Sequence, residues 1–190
     1  MRTVHAIEAE SYRRLRAAVD TAHLPPRTRD VVERIVHTTA DPGWLDDLVT
    51  DEAALEAGAQ ALAAGVPLVV DVTMVAAGIT GYPSICHIRD VTPGDGMTRA
   101  AAAIRRAAQE VGPGAVWVIG NAPTALDEVL RVAPRPALVV GLPVGYVGAV
   151  EAKAALRATN LPQLSNRSAR GGSAVAAAAV NALRYGDPLP

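Results

Sequence analysis

Residues 115–124 read Ala115-Val116-Trp117-Val118-Ile119-Gly120-Asn121-Ala122-Pro123-Thr124. The first five are apolar and mostly β-branched or aromatic, which predicts a strand buried on both faces. Gly120 permits a tight exit, and Pro123 suits the first turn of a helix, where a missing N–H costs nothing. A buried strand that runs straight into a helix start is the repeating unit of a parallel sheet covered by helices.

The same succession recurs along the chain. Strands are expected from Leu68 to Val72, Ile85 to Arg89, Ala115 to Ile119, Ala137 to Val140 and, with a weaker pattern, Leu161 to Ser165. Helices are expected from Glu8 to Val19, Pro26 to Val36, Asp51 to Ala64, Thr98 to Val111, Pro123 to Val132, Gly148 to Arg157 and Gly172 to Arg184. The expected architecture is α/β, a flavodoxin-like three-layer sandwich on a parallel five-stranded sheet, with residues 1–190 forming one domain. Thr92-Pro93-Gly94-Asp95-Gly96 reads as a loop, and the Ala-rich run from Ala174 to Val180 as a buried helix.

Composition narrows the function. Half of the residues are hydrophobic, mainly Ala and Val with no Phe, which suits helices packed closely on a sheet. The 18 Lys and Arg against 19 Asp and Glu leave a formal charge of −1, and aromatics are 3%, so neither a field nor a stacking platform for nucleic acid is present. The lone Cys86 excludes a disulfide framework and a multi-cysteine metal site, and reads as a thiol in a reducing compartment. Met1-Arg2-Thr3-Val4 leads into charged residues rather than a secretory leader, and no apolar run would span a bilayer. The expectation is a cytoplasmic protein with no nucleic-acid or membrane partner.

In such sheets ligands bind beyond the carboxyl ends of the strands. Four turns there are unusual: Asp71-Val72-Thr73-Met74, Gly120 to Thr124, Gly141 to Gly148, and Ser168-Ala169-Arg170-Gly171-Gly172-Ser173. Their glycines let backbone approach a ligand, and N–H groups at helix starts attract anions, although glycine and proline also serve ordinary turns. Gly141, Gly145 and Gly148 do not make G-x-G-x-x-G, and no Walker lysine follows a glycine loop. Dinucleotide and ATP sites are therefore disfavoured. Arg99 follows Thr98, a good N-cap, and puts a cation where the helix dipole opposes it. A ligand carboxylate there would meet guanidinium and helix N–H groups together; a solvated arginine accounts for the same pattern. Arg167 and Arg170 add charge before a further helix start.

His37 ends an amphipathic helix and is followed by Thr38-Thr39-Ala40-Asp41. Val31, Val32, Ile35 and Val36 share one face with Thr28, while Asp30, Glu33, Arg34 and His37 share the other. The helix dipole at that end favours imidazolium, which predicts a raised pKa and a proton donor at neutral pH. A surface histidine that completes a helix end fits the position as well. His5, His23 and His87 occupy less telling places, Asp71 suits holding a hydroxyl or imidazole as much as capping a turn, and no metal-ligand or Ser-His-Asp motif is found.

The chain resembles the precorrin-8X methylmutase family of cobalamin biosynthesis. The matching segments are Ile7-Glu8-x-x-Ser11-Tyr12, Ile35 to Asp41, Asp71-x-x-Met74-x-x-x-Gly78-Ile79-Thr80, Thr98-Arg99-Ala100-Ala101, Gly120 to Leu126, Gly141 to Gly148 and Gly171-Gly172-Ser173, in the family's order over nearly the whole chain. The resemblance implies a flavodoxin-like homodimer with its site near the subunit interface. It implies a cofactor-free shift of a methyl group from C-11 to C-12 of a tetrapyrrole, giving a corrinoid product; whether that tetrapyrrole carries cobalt is left open. It places the catalytic histidine on His37 and substrate contacts on Ser11, Thr80 and Arg99. With the turns above, Asn121, Gly145, Gly171, Gly172 and Ser173 complete the expected binding set. Ala9, Gly81 and Ser168-Ala169 stand where the family carries basic or Gly-Arg residues, and the segment from Gly81 to Ser84 is shortened. A divergent tetrapyrrole-binding paralogue or carrier without turnover is the alternative reading. A purely structural dimerisation module is a third, which the resemblance does not support.

Overall fold

The structure is a computed structural model that describes residues 5–94 and 96–186. Residues 1–4, which carry the expectation on a leader, and Asp95 of the expected loop lie outside the described residues. The elements are α1 (Ala6–Ala18), α2 (Pro26–Thr39), α3 (Trp44–Asp47), β1 (Leu48–Thr50), α4 (Glu52–Ala63), β2 (Leu68–Val70), α5 (Thr73–Gly78), α6 (Arg99–Glu110), β3 (Val116–Ile119), α7 (Pro123–Val132), β4 (Leu138–Gly141), α8 (Ala149–Arg157), β5 (Gln163–Asn166) and α9 (Ser173–Tyr185). Every helix expected from periodicity is present within a few residues. The caps explain the boundaries: Asp51 accepts from Ala54 N–H to open α4, and Thr98 from Ala101 N–H to open α6.

The sheet order is β1-β5-β4-β3-β2, with β2 to β5 parallel and β1 antiparallel to β5. The sheet is therefore mixed, which corrects the purely parallel expectation. Leu48-Val49-Thr50 lies between two helices and is too short for its own apolar signal; pairing with β5 covers an edge that would otherwise be open. The strand expected from Ile85 to Arg89 shrinks to one parallel bridge, where Val70 N–H donates to Ile85 O at 3.0 Å and Ile85 N–H to Leu68 O at 2.8 Å. Pro83 precedes it, and a turn follows in which Asp90 N–H donates to His87 O at 2.9 Å. Counting that bridge, the order is Ile85-β2-β3-β4-β5-β1. The chain goes outward from β2 and returns to β3 on the other side, so the direction of winding reverses between them and opens a crevice at their carboxyl ends.

Side-chain alternation divides the core into two layers. Leu68, Val70, Val116, Val118, Leu138, Val140 and Leu164 pack with α2, α4 and α9, while Val69, Trp117, Ile119 and Val139 pack with α6, α7 and α8. The Ala-rich run is a buried helix, as expected, with Ala176, Ala177, Ala179 and Val180 all inaccessible. Small residues set the spacing: a Cβ on Gly58 of α4 would lie 2.5 Å from Leu138 Cδ2. On the outer side of α9 lies α2, and α1 packs on α2. Glu33, expected on the solvent face of α2, is buried against α1, where Arg16 Nη2 donates at 2.8 Å and Thr21 Oγ1 at 2.5 Å. This pairing fixes α1 over the helix that carries His37.

Candidate active site

The carboxyl edge of the sheet gathers the glycine turns. Asp71, buried at the end of β2, accepts from the N–H groups of Gly120 at 3.1 Å and of Asn121 and Ala122 at 2.8 Å. It therefore caps the turn across the crevice, and among the described residues neither a hydroxyl nor an imidazole engages it. Burial raises its pKa against those three hydrogen bonds. Gly145 N–H donates to Ala169 O at 3.1 Å and Gly172 N–H to Leu142 O at 2.9 Å, which joins the turns after β4 and β5. Gly171 is needed there because a Cβ would sit 2.3 Å from Leu142 O and 2.5 Å from Pro143 O. Ser173, the first residue of α9, is buried, and its Oγ has no partner among the described residues.

Two buried polar residues shape the last of these turns. Asp47 accepts from Ser168 N–H at 2.8 Å, Ser168 Oγ at 2.6 Å, Arg167 N–H at 3.0 Å and Asn166 Nδ2 at 2.9 Å. Burial pushes its pKa up, but these hydrogen bonds prevail and hold the carboxyl below its ordinary value. Lys153, fully buried on α8, donates to Asn166 Oδ1 at 2.8 Å, Ser168 O at 2.5 Å and Arg170 O at 2.7 Å. Burial lowers its pKa to about 8, with Asp47 opposing.

His37 lies in the last turn of α2, which continues to Thr39 and is closed by Ala40 at φ +53°. Its Nδ1 is 2.9 Å from Ser11 Oγ, and its ring stacks on Tyr12 at 4.9 Å between centroids. Together with Ser11, Arg14, Leu15, Val36, Ala40 and Pro42 it borders an open cavity of about 260 Å³. The expected raised pKa is corrected. Burial against α1 lowers it, the Arg34 guanidinium one turn back lowers it further, and Glu8 only partly opposes them.

The remaining expected residues separate into two groups. Arg99 and Asn121 are exposed at the starts of α6 and α7, which Thr98 Oγ1 and Thr124 Oγ1 join at 2.7 Å. A Cβ on Gly148, which opens α8, would lie 3.4 Å from Pro123, so three helix N-termini stand side by side near Arg99. No described contact joins this group to His37. Thr80 instead borders a cavity of about 400 Å³ with Arg34, Asn181 and Tyr185. Asn181 Oδ1 accepts from Thr80 N–H at 3.0 Å and its Nδ2 donates to Gly78 O at 2.9 Å. Tyr12, Arg34, Asn181 and Lys153 escaped the sequence reading as site residues. Arg34 left a signal, since a residue three before His37 shares its helical face, and Tyr12 stood in a matching segment beside Ser11.

Among the described residues no group of three or more His, Cys, Asp and Glu is placed to hold a metal, and no helix is long and apolar enough to cross a membrane. His87, half-buried, has its Nε2 2.7 Å from Glu110 Oε2.

Glycine turns and helix N-termini at the carboxyl edge of an α/β sheet, with a half-buried histidine beside a cavity, form an arrangement that suits an enzyme acting on an anionic ligand. The model of the precorrin-8X methylmutase family matches residues 6–185, and the chain belongs to that family. It is 41% identical to the cobalt-precorrin-8 methylmutase of Methanocaldococcus jannaschii over 80% of this chain and 77% of the relative. It is 39% identical to the precorrin-8X methylmutase of Pseudomonas aeruginosa over 96% of each. The solved precorrin-8X methyl mutase of Thermus thermophilus superposes with a TM-score of 0.83 at 34% identity, covering 94% of this chain and 93% of that one.

Proposed function

We propose that this chain is an isomerase that moves a methyl group from C-11 to C-12 of a precorrin-8X-type tetrapyrrole in cobalamin biosynthesis, with His37 as the acid. The observation that carries the reading is the shielded His37–Ser11 pair at the mouth of a cavity, in a chain of this family. With the Ser11 hydroxyl donating to Nδ1, the proton of a neutral imidazole sits on Nε2. The lowered pKa makes the neutral form the resting state, and the substrate's carboxylates favour the imidazolium once bound. Protonation of the macrocycle draws electron density into the conjugated system as the C-11–methyl bond breaks and the C-12–methyl bond forms. The shift is intramolecular and consumes no redox equivalent.

Arg99, Asn121, Gly145 and the Gly171-Gly172-Ser173 turn serve as carboxylate clamp, and Ser11 and Thr80 as positioners. We read residues 1–190 as one cytoplasmic domain of flavodoxin-like order with an added antiparallel edge strand. A homodimer with the site near its interface accounts for Arg99 and His37 lacking a direct link within one chain. The experiment is incubation with precorrin-8X and with its cobalt complex, watching the absorption of the conjugated system. Conversion of either supports the enzyme. Tight binding of both with neither altered supports the carrier, the reading that Ala9 and Gly81 in place of basic residues favour.

A further inference from the structure

We propose that Lys153 is a positioning residue, whose ammonium sets the backbone from Asn166 to Gly172 and so aims the start of α9 at a carboxylate of the tetrapyrrole; this rests on the clamp reading above. Lys153 is the sole lysine of the chain, and the rest of its 18 Lys and Arg residues are arginines. It is also fully buried, on α8. Its Nζ donates to Asn166 Oδ1 at 2.8 Å, Ser168 O at 2.5 Å and Arg170 O at 2.7 Å. Three alternate residues of one turn thus point an oxygen at one nitrogen, and an ammonium carries three N–H donors and no acceptor. A guanidinium, larger and with its donors in one plane, does not serve a cage closed from three sides.

The cage bears on the clamp through short links. Asp47 of α3 fixes its start, accepting from Arg167 N–H, Ser168 N–H, Ser168 Oγ and Asn166 Nδ2. Asn166 Nδ2 also donates to Arg170 O at 3.0 Å. Beyond it, Ala169 O accepts from Gly145 N–H and Leu142 O from Gly172 N–H, while Gly171 passes where a Cβ would meet Leu142 O and Pro143 O. Where Arg170 stands therefore decides where the first N–H groups of α9 point, and how the turn after β4 meets them. Burying an ammonium gains little stability over apolar packing; what this one fixes is the path of the chain.

Losing a proton breaks the match, because a neutral amine offers two N–H groups and a lone pair to three oxygen acceptors. Burial lowers the Lys153 pKa to about 8, which brings that loss within reach of measurement. The charges around it are Asp47, which favours the ammonium, and Arg157 of α8, which opposes it and itself donates to Asn166 O at 2.7 Å. In the turn, Arg167 acts on Arg157, and Arg170 is paired with Asp41. On α7, which also packs on α8, Glu128 pairs with Arg105 and Asp127 is exposed. Ligand affinity should therefore fall as pH rises through about 8, and ligand should raise the Lys153 titration by the same factor. Folding stability runs the other way, since the unfolded chain holds more protons between about 8 and 10.5. A lysine that only supported the fold would not weaken binding on that limb.

With a single lysine, protein labelled with carbon-13 at lysine Cε gives one signal to titrate by NMR, free and saturated with the rearranged product. The free protein should show a midpoint near 8, and product should move it about one pH unit higher, with a matching loss of affinity of about tenfold across the titration. The amide resonances of Gly145 and Gly172 should follow the same midpoint. In Lys153→Met affinity should be about tenfold lower already at neutral pH and lose that pH dependence, with KM raised and kcat little changed. A midpoint that product leaves in place overturns the proposal, as does affinity level across the titration or a folded Lys153→Met that binds product normally. The label readout needs no variant to fold. Should the unmutated protein bind neither precorrin-8X nor product, the proposed function falls and this inference with it; normal conversion with an indifferent Lys153 removes the inference alone.

Discussion

Asp41 Oδ2 lies 2.6 Å from Arg170 Nη2, which ties the end of the His37 helix to the turn ahead of α9. Arg170 also lies over the Trp44 ring at 4.4 Å, and its carbonyl accepts from Lys153. At 37% and 47% exposure the ion pair itself stabilises by about 0.2–1 kcal/mol. Its larger consequence is positional, because it fixes the segment that follows α2, the helix carrying His37, to the turn ahead of α9.

Asp41→Asn should therefore lower kcat/KM about tenfold while costing under about 1 kcal/mol of stability. Urea unfolding beside steady-state kinetics checks this. Equal losses in both would make the pair merely structural.

His37→Ala removes the proposed acid and leaves the carboxylate contacts in place. Turnover should fall by about 10² to 10⁴ with a much smaller change in product affinity. Single-turnover absorption spectroscopy reads the first quantity and equilibrium titration the second.

The pH dependence follows from the lowered His37 pKa. Free-enzyme kcat/KM, if it needs imidazolium, should decline as pH rises through a value below about 6.5. Stability carries the opposite sign. Between the lowered folded pKa and about 6.5 the unfolded chain holds more protons, so this group's contribution is present above that window and lost as pH falls through it. His37→Gln should flatten both profiles.

Lys153→Met leaves Asn166 Oδ1 without its donor in a buried site, and the carbonyls of Ser168 and Arg170 with only the Asn166 Nδ2 hydrogen bonds. The expected cost is about 3–5 kcal/mol, measured as a shift in the urea midpoint. Because the folded pKa is lowered to about 8 from an ordinary value of 10.5, the unfolded chain holds more protons between them, and this group's effect makes stability rise with pH there. The variant should lose that slope.

Gly171 and Gly145 make a contrast. Ala at 171 drives Cβ into two main-chain carbonyls, so a loss above about 3 kcal/mol and a disrupted turn are expected. At Gly145, φ +145° with nothing within 4 Å, Ala should cost only the backbone strain of about 1–3 kcal/mol. Thermal unfolding of the two variants decides the order.

Much of the fold was legible because its signals are local. The caps Asp51 and Thr98, the prolines that open α2 and α7, and the β-branched runs of β2, β3 and β4 act within a few residues of themselves. His37, Arg99 and the glycine turns stood out as candidates for the same reason, reinforced by motifs in family order. Tertiary contacts decided the rest. Strand β1 exists because β5 offers an edge, and the strand at Ile85 failed because Pro83 and the following turn limit it to one bridge. The protonation of His37 reversed from expectation, since a helix dipole acts within one turn but burial depends on α1 lying over it and on where Arg34 points. The capping of the Gly120 turn by Asp71 and the hold of Lys153 on the Ser168–Arg170 turn join residues 49 and 15 to 17 positions apart. Sequence spacing carries the rise and period of a helix or strand; it does not carry which elements will meet, and at this site the meeting sets the charge.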